Sequence, residues 1–248
     1  MRLIQLHEWK DLVRHYAITR GEVIRLITLA ASFALILSFA TISTAQTLEE
    51  QVDALVIAFL ATIIGVLVHD AAHRIVALKR RLQPEAGINY YWLLFSLATM
   101  VLSKGALPLF FGEKIRAKPM HPHRLGHFTY HEGTDDLGAI ALAGPIASAG
   151  LALIALGLGY IVGESIVFET IVRFSATYAI LTFLPLPGLD GLMAFFCGRL
   201  LYAFLFGTLL GYFIFIQTDI GVLGTSVLAL MVGGITWYIF YNFWEKNV

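Results

Sequence analysis

His69 and His73 stand four residues apart inside an apolar stretch, Leu67-Val68-His69-Asp70-Ala71-Ala72-His73-Arg74. On a helix, residues i and i+4 share a face with their Cβ atoms roughly 5–6 Å apart, a separation at which two imidazoles can bind one metal ion. Ionisable side chains inside a membrane helix are costly, so a cluster of them is a functional site by default. The plainer alternative is a pair of histidines that only satisfies hydrogen bonds between helices. Two histidines and one carboxylate, with water in the fourth position, would form the open tetrahedral arrangement of catalytic zinc. Its chemistry is to acidify water and polarise a carbonyl. In the H-E-x-x-H arrangement the glutamate after the first histidine moves the proton. Here that residue is Asp70, one methylene shorter.

The elements that must carry these residues follow from composition. Of the 248 residues, 58% are hydrophobic and 14% charged, against about 25% charged in a soluble domain. The mean hydropathy is +0.77. These values indicate an all-α polytopic membrane protein. Formal net charge is zero, which argues against a nucleic-acid partner. One cysteine, Cys197, excludes an internal disulfide framework.

Residues 1–21 mix Arg2, Lys10, Arg14 and Arg20 with Leu3, Ile4, Leu6, Trp9, Leu12, Val13 and Tyr16, as in a basic amphipathic helix on the cytoplasmic membrane surface. Residues 22–248 read as one membrane-embedded domain with its core at 52–191. Spans are expected at Val23–Thr44, Val52–Leu78, Leu137–Val162, Val167–Leu186, Leu200–Ile216 and Ile220–Trp244. Lys79-Arg80-Arg81, Arg199 and Lys246 mark cytoplasmic ends, while Glu49, Glu50, Asp53, Glu164, Glu169 and Asp219 mark outer loops. Both termini are then cytoplasmic. Tyr90–Phe111 is apolar but broken by Ser103-Lys104-Gly105 and Pro108, and the basic segment after it belongs inside. A re-entrant or hairpin element satisfies both facts.

This topology yields a geometric expectation. His69 lies about 15 Å of helix from Lys79, and Asp190 about 14 Å from Arg199 if that stretch is helical. Asp190 can therefore meet His69 and His73 in the cytoplasmic half of the membrane. Read alone, Pro185-Leu186-Pro187-Gly188-Leu189-Asp190-Gly191 is a turn signal, and Gly144-Pro145 a packing site or kink.

Three separated pieces together resemble the site-2 protease family of intramembrane zinc metalloproteases, in its short archaeal and bacterial core form. His69-Asp70-Ala71-Ala72-His73 matches the H-E-x-x-H helix except at its second position. Leu142-Ala143-Gly144-Pro145-Ile146-Ala147-Ser148 is similar to the family's A-G-P-[LI]-x-N segment, with Ser148 in place of asparagine. Thr182-Phe183-Leu184-Pro185-Leu186-Pro187-Gly188-Leu189-Asp190-Gly191 is similar to N-L-L-P-x-x-P-L-D-G. The resemblance implies one zinc per chain on His69, His73 and Asp190, with Asp70 as general acid/base. It puts Thr182 where an asparagine holds substrate backbone or the developing oxyanion. The implied substrate is a transmembrane or membrane-proximal segment of an integral membrane protein, cut within the cell membrane of a prokaryote. Two departures, Asp70 and Thr182, both touch the catalytic step. They leave open a catalytically impaired relative that keeps the fold, with or without the metal, to bind membrane-protein clients. A small transporter is a third reading, but the repeated halves expected of one are not visible.

His121, His123, His127 and His131 crowd a polar loop with Pro119 and Pro122. They read as a solvated loop or hairpin without a specific metal, with a short strand near Phe128-Thr129-Tyr130. In the resembled family this region can pair with an extended substrate.

Overall fold

The computed structural model describes residues 19–119, 124–125, 128–129, 133–163, 165–218 and 220–247. Residues 1–18 of the expected amphipathic segment lie outside them. So do all four loop histidines, together with Glu164 and Asp219.

Helix α1 (Arg20–Thr44) begins at a capping box. The Glu22 amide donates to Thr19 Oγ1, and the Thr19 amide donates to Glu22 Oε2 at 2.8 Å, so each residue satisfies an otherwise orphaned amide. Helix α2 (Leu48–Lys79) is capped by Thr47, whose hydroxyl accepts from the Glu50 amide at 3.2 Å. The link between α1 and α2 is short, so the two pack side by side as antiparallel neighbours.

After α2 comes strand β1 (Leu82–Ile88), then helix α3 (Tyr90–Leu102), an extended return, and strand β2 (Glu113–Pro119). The strands pair antiparallel from Leu82↔Pro119 to Ile88↔Glu113, and the Asn89 amide donates to the Gly112 carbonyl at 2.7 Å. The chain therefore leaves and re-enters at one place, and α3 with its return forms a closed excursion. Strands β3 (Arg124–Leu125) and β4 (Phe128–Thr129) form a second small hairpin, and its second arm falls where a strand is expected.

Helices α4 (Thr134–Val162), α5 (Ile166–Thr182), α6 (Asp190–Cys197), α7 (Arg199–Phe215) and α8 (Gly221–Phe243) complete the described fold, followed by a 3-10 turn (Glu245–Asn247). Among the described residues α1, α2, α4 and α8, of 25, 32, 29 and 23 residues, are long and apolar enough to cross a membrane. Six spans are expected from the sequence. The other two correspond to α5 and α7, each of 17 residues, or about 26 Å of helix. Helix α5 stops at Thr182 rather than Leu186 because Pro185 and Pro187 cannot continue the hydrogen-bond ladder.

The packing is inverted relative to a water-soluble bundle. Helix α2 exposes Leu55, Val56, Leu60, Ile64, Leu67 and Ile75, while His69, Asp70, His73 and Arg74 are buried. Around that polar interior, Leu26, Leu29, Phe33, Val66, Leu93, Phe110, Phe174 and Tyr178 form one apolar cluster. It ties α1, α2, the excursion and α5 together, which fixes where the excursion returns.

Candidate metal centre

Residues His69 and His73 lie on the side of α2 that packs against α4, and α4 orients both rings with a single stripe of residues. The His73 Nδ1 donates to the Ile140 carbonyl at 2.7 Å, and the His69 Nδ1 bonds to Ser148 Oγ at 2.9 Å. One turn from each of these stands Gly144. A Cβ at Gly144 would fall 2.1 Å from His73 Nε2 and 2.5 Å from His69 Nε2. Only glycine fits between the two partners, so the Gly-Pro segment makes space for the histidines as well as packing the helices. Ser148, which stands in place of the asparagine of the resembled segment, is a hydrogen-bond partner of His69.

Asp190 arrives from another direction. The Pro185–Gly188 turn reverses the chain after α5, and Asp190 opens α6. This helix start lies hard against the end of α5, because a Cβ at Gly191 would fall 2.1 Å from the Phe183 carbonyl oxygen. The Tyr202 hydroxyl donates to that same carbonyl at 3.0 Å. The Trp92 indole donates to the Pro187 carbonyl at 2.9 Å, which couples the excursion to the turn that carries Asp190.

Three ligand-type atoms converge as a result. His69 Nε2 and His73 Nε2 are 3.0 Å apart, and Asp190 Oδ2 is 3.3 Å from each. Among the described residues, only this group of three or more brings metal-ligating atoms within 4.8 Å of one another. Both histidines are buried and the Asp190 side chain is 18% exposed, so the opening is on the aspartate side.

The group passes a test of fit to a metal. A carbonyl can only accept, so the His73 Nδ1 carries the hydrogen and its Nε2 presents a bare lone pair when the ring is neutral. Lone pairs and a carboxylate at such separations repel unless positive charge lies among them. Tetrahedral ligands at zinc-like bond lengths of about 2.0–2.1 Å lie about 3.3 Å apart, near the observed spacing. Hydrogen bonds on the far ring nitrogens are the usual outer support of metal-bound histidines. The set of two nitrogens and one oxygen suits zinc.

Asp70 is not brought to this group. Its Oδ1 accepts from Arg25 Nη2 and its Oδ2 from Arg74 Nε, both at 2.6 Å, and Arg74 Nη2 also donates to Glu22 at 2.7 Å. Successive helix residues are rotated by about 100°, which turns Asp70 from the α4 side toward α1. Thr182 lies beside the site, but its hydroxyl proton is engaged within its own helix, toward the Tyr178 carbonyl at 2.9 Å.

A carboxylate that the motifs did not single out is at the site. Glu113, the first residue of β2, has Oε2 3.8 Å from His69 Nε2 and Oε1 3.4 Å from Arg25 Nη1. The Tyr178 hydroxyl donates to Glu113 Oε2, and the Tyr178 ring packs on His69 with centroids 4.6 Å apart. A small cavity of about 10 Å³ is lined by Phe110, Phe111, Gly112, Glu113, Thr182, Leu189 and Asp190. That is the room one water centre needs. Arg25 carried a readable signal, an arginine inside an apolar span. Glu113 carried none, because Lys114, Arg116 and Lys118 make its surroundings look like a solvated charged loop.

Compared with protein-family models, with curated proteins and with solved structures, the chain matches none of them.

Proposed function

We propose that the chain is an intramembrane zinc metalloendopeptidase of site-2 protease type, and the observation that carries this reading is the convergence of His69, His73 and Asp190. Its six apolar helices cross a prokaryotic cell membrane with both termini cytoplasmic, and the α3 excursion is a re-entrant element. His69 Nε2, His73 Nε2 and Asp190 Oδ2 would hold one zinc. When bound, zinc would acidify water and polarise the carbonyl of a peptide bond.

The protein's own contribution is positional. Ile140 and Ser148 fix the imidazole orientations, Gly144 leaves the space, and the Pro185–Gly188 turn delivers the carboxylate. Phe110 and Phe111, both buried, line the adjoining cavity. A cavity of this size has room for water and not for a peptide, so a substrate would need the site to open further. The substrate would be an unwound transmembrane or membrane-proximal segment near the cytoplasmic face.

One observation favours a second reading, a non-catalytic relative that binds membrane-protein clients. Asp70, in the position that normally supplies the acid/base, is bonded to two arginines instead. Cleavage of a model transmembrane peptide by the purified zinc-loaded chain separates the two. The protease reading expects cleavage by the native chain that is lost in His69→Ala. Zinc binding without any cleavage would favour the client-binding reading.

A further inference from the structure

The position after the first histidine is committed to arginines, yet a second buried carboxylate faces the ligand group from a different element. Resting on the metallopeptidase reading above, we propose that Glu113, carried by the return of the α3 excursion, is the carboxylate that exchanges a proton with whatever occupies the open position beside His69, His73 and Asp190. Asp70 is then a structural anion.

Geometry supports this assignment at each step. Glu113 Oε2 lies 3.8 Å from His69 Nε2, adjacent to the ligand atoms without belonging to the group of three. It shares with Asp190 and Thr182 the cavity that has room for about one water. A general base must reach its proton directly or through one water, and Glu113 borders that water's place. Asp70 has both oxygens in 2.6 Å bonds to guanidinium groups, one of them from α1. Arg25 contacts both carboxylates, but at 2.6 Å for Asp70 and 3.4 Å for Glu113. The Glu113 contact is the longer of the two.

In peptide hydrolysis a water at that place would give one proton to Glu113 as its oxygen bonds to the carbonyl carbon. The carbon–nitrogen bond then breaks and Glu113 returns that proton to the leaving nitrogen. One water is consumed, and Glu113 ends as it began. Tyr178, bonded to Glu113 and packed on His69, holds the carboxylate toward the ligand atoms and acts as a positioning residue.

The test uses the full chain loaded with zinc and acetohydroxamate as probe, because a hydroxamic acid binds a metal as its anion and hands its proton to a neighbouring carboxylate. Glu113→Gln is expected to keep one zinc per chain and to weaken acetohydroxamate by about 10–100-fold, the worth of one hydrogen bond to a charged group. Its kcat for a transmembrane peptide should fall at least about 100-fold with KM little changed. Glu113→Asp, which keeps the charge beside Arg25, should retain zinc and show intermediate affinity, so misfolding of the glutamine variant would not hide the effect. Unchanged hydroxamate affinity in both Glu113 variants overturns the proposal. So does loss of zinc in both, or an affinity that follows Asp70→Asn instead. If hydroxamate binding depends on Glu113 but the native chain cleaves nothing, the peptidase reading fails while the placement of Glu113 stands.

Discussion

Helix α2 presents two buried polar faces that are one residue apart in sequence and opposite in character. Toward α4 and α6, His69 and His73 meet Asp190 with their lone pairs converging on a shared point. Toward α1, Asp70 and Arg74 meet Arg25 and Glu22 in direct ion pairs, so each charge has an opposite charge beside it. The first face gathers three ligand-type atoms from two helices about one point. The second has its opposite charges in direct contact. Burial alone does not mark a functional site, since both faces are equally removed from solvent. The convergence of ligand-type atoms marks it. Removing one partner from a buried ion pair strands the other and costs stability, whereas removing a ligand from the first face would cost metal affinity.

Substitutions can break this contrast from either side. The largest effect is expected from His73→Ala and from Asp190→Ala, which should abolish zinc retention while the chain still folds in detergent. Gly144→Ala comes next. Its methyl would overlap His73 Nε2 and His69 Nε2, so zinc affinity should fall by at least the 10–100-fold typical of outer-support losses, as measured by competition with a chelator.

Asp70→Asn tests the other face. Leaving Arg25 and Arg74 without an anion between them should destabilise the chain by about 3–5 kcal/mol, read as a lower thermal midpoint, with zinc affinity changed far less than in Gly144→Ala. Equal losses of zinc in the two variants would mean that the faces are not separate. Ser148→Ala removes the hydrogen-bond partner of His69 at 2.9 Å and should weaken zinc by about tenfold, the smallest change of the series.

The half of this contrast that gathers the candidate ligands was legible in the sequence, because it depends on periodicity. Spacing of four puts His69 and His73 on one face, and charge asymmetry of the loops sets the depth at which Asp190 can meet them. The long apolar helices were legible for the same reason. The arginine face was not, since Arg25 and Asp70 are 45 positions apart and meet only through helix packing. The β1–β2 pairing was hidden by Pro84 and Gly87, residues that weaken a strand signal and are tolerated in a two-stranded ribbon with open edges. Glu113 was hidden with it, because its approach to His69 depends on that register. The Gly144 contact was invisible because a glycine in an apolar helix reads first as a packing residue.

The convergence of His69, His73 and Asp190 is tested most directly by elemental analysis of the purified full chain after zinc loading and removal of excess metal. One zinc per native chain and none in Asp190→Ala is the predicted result. A native chain that retains no zinc, or an Asp190→Ala chain that retains as much as the native one, would contradict it.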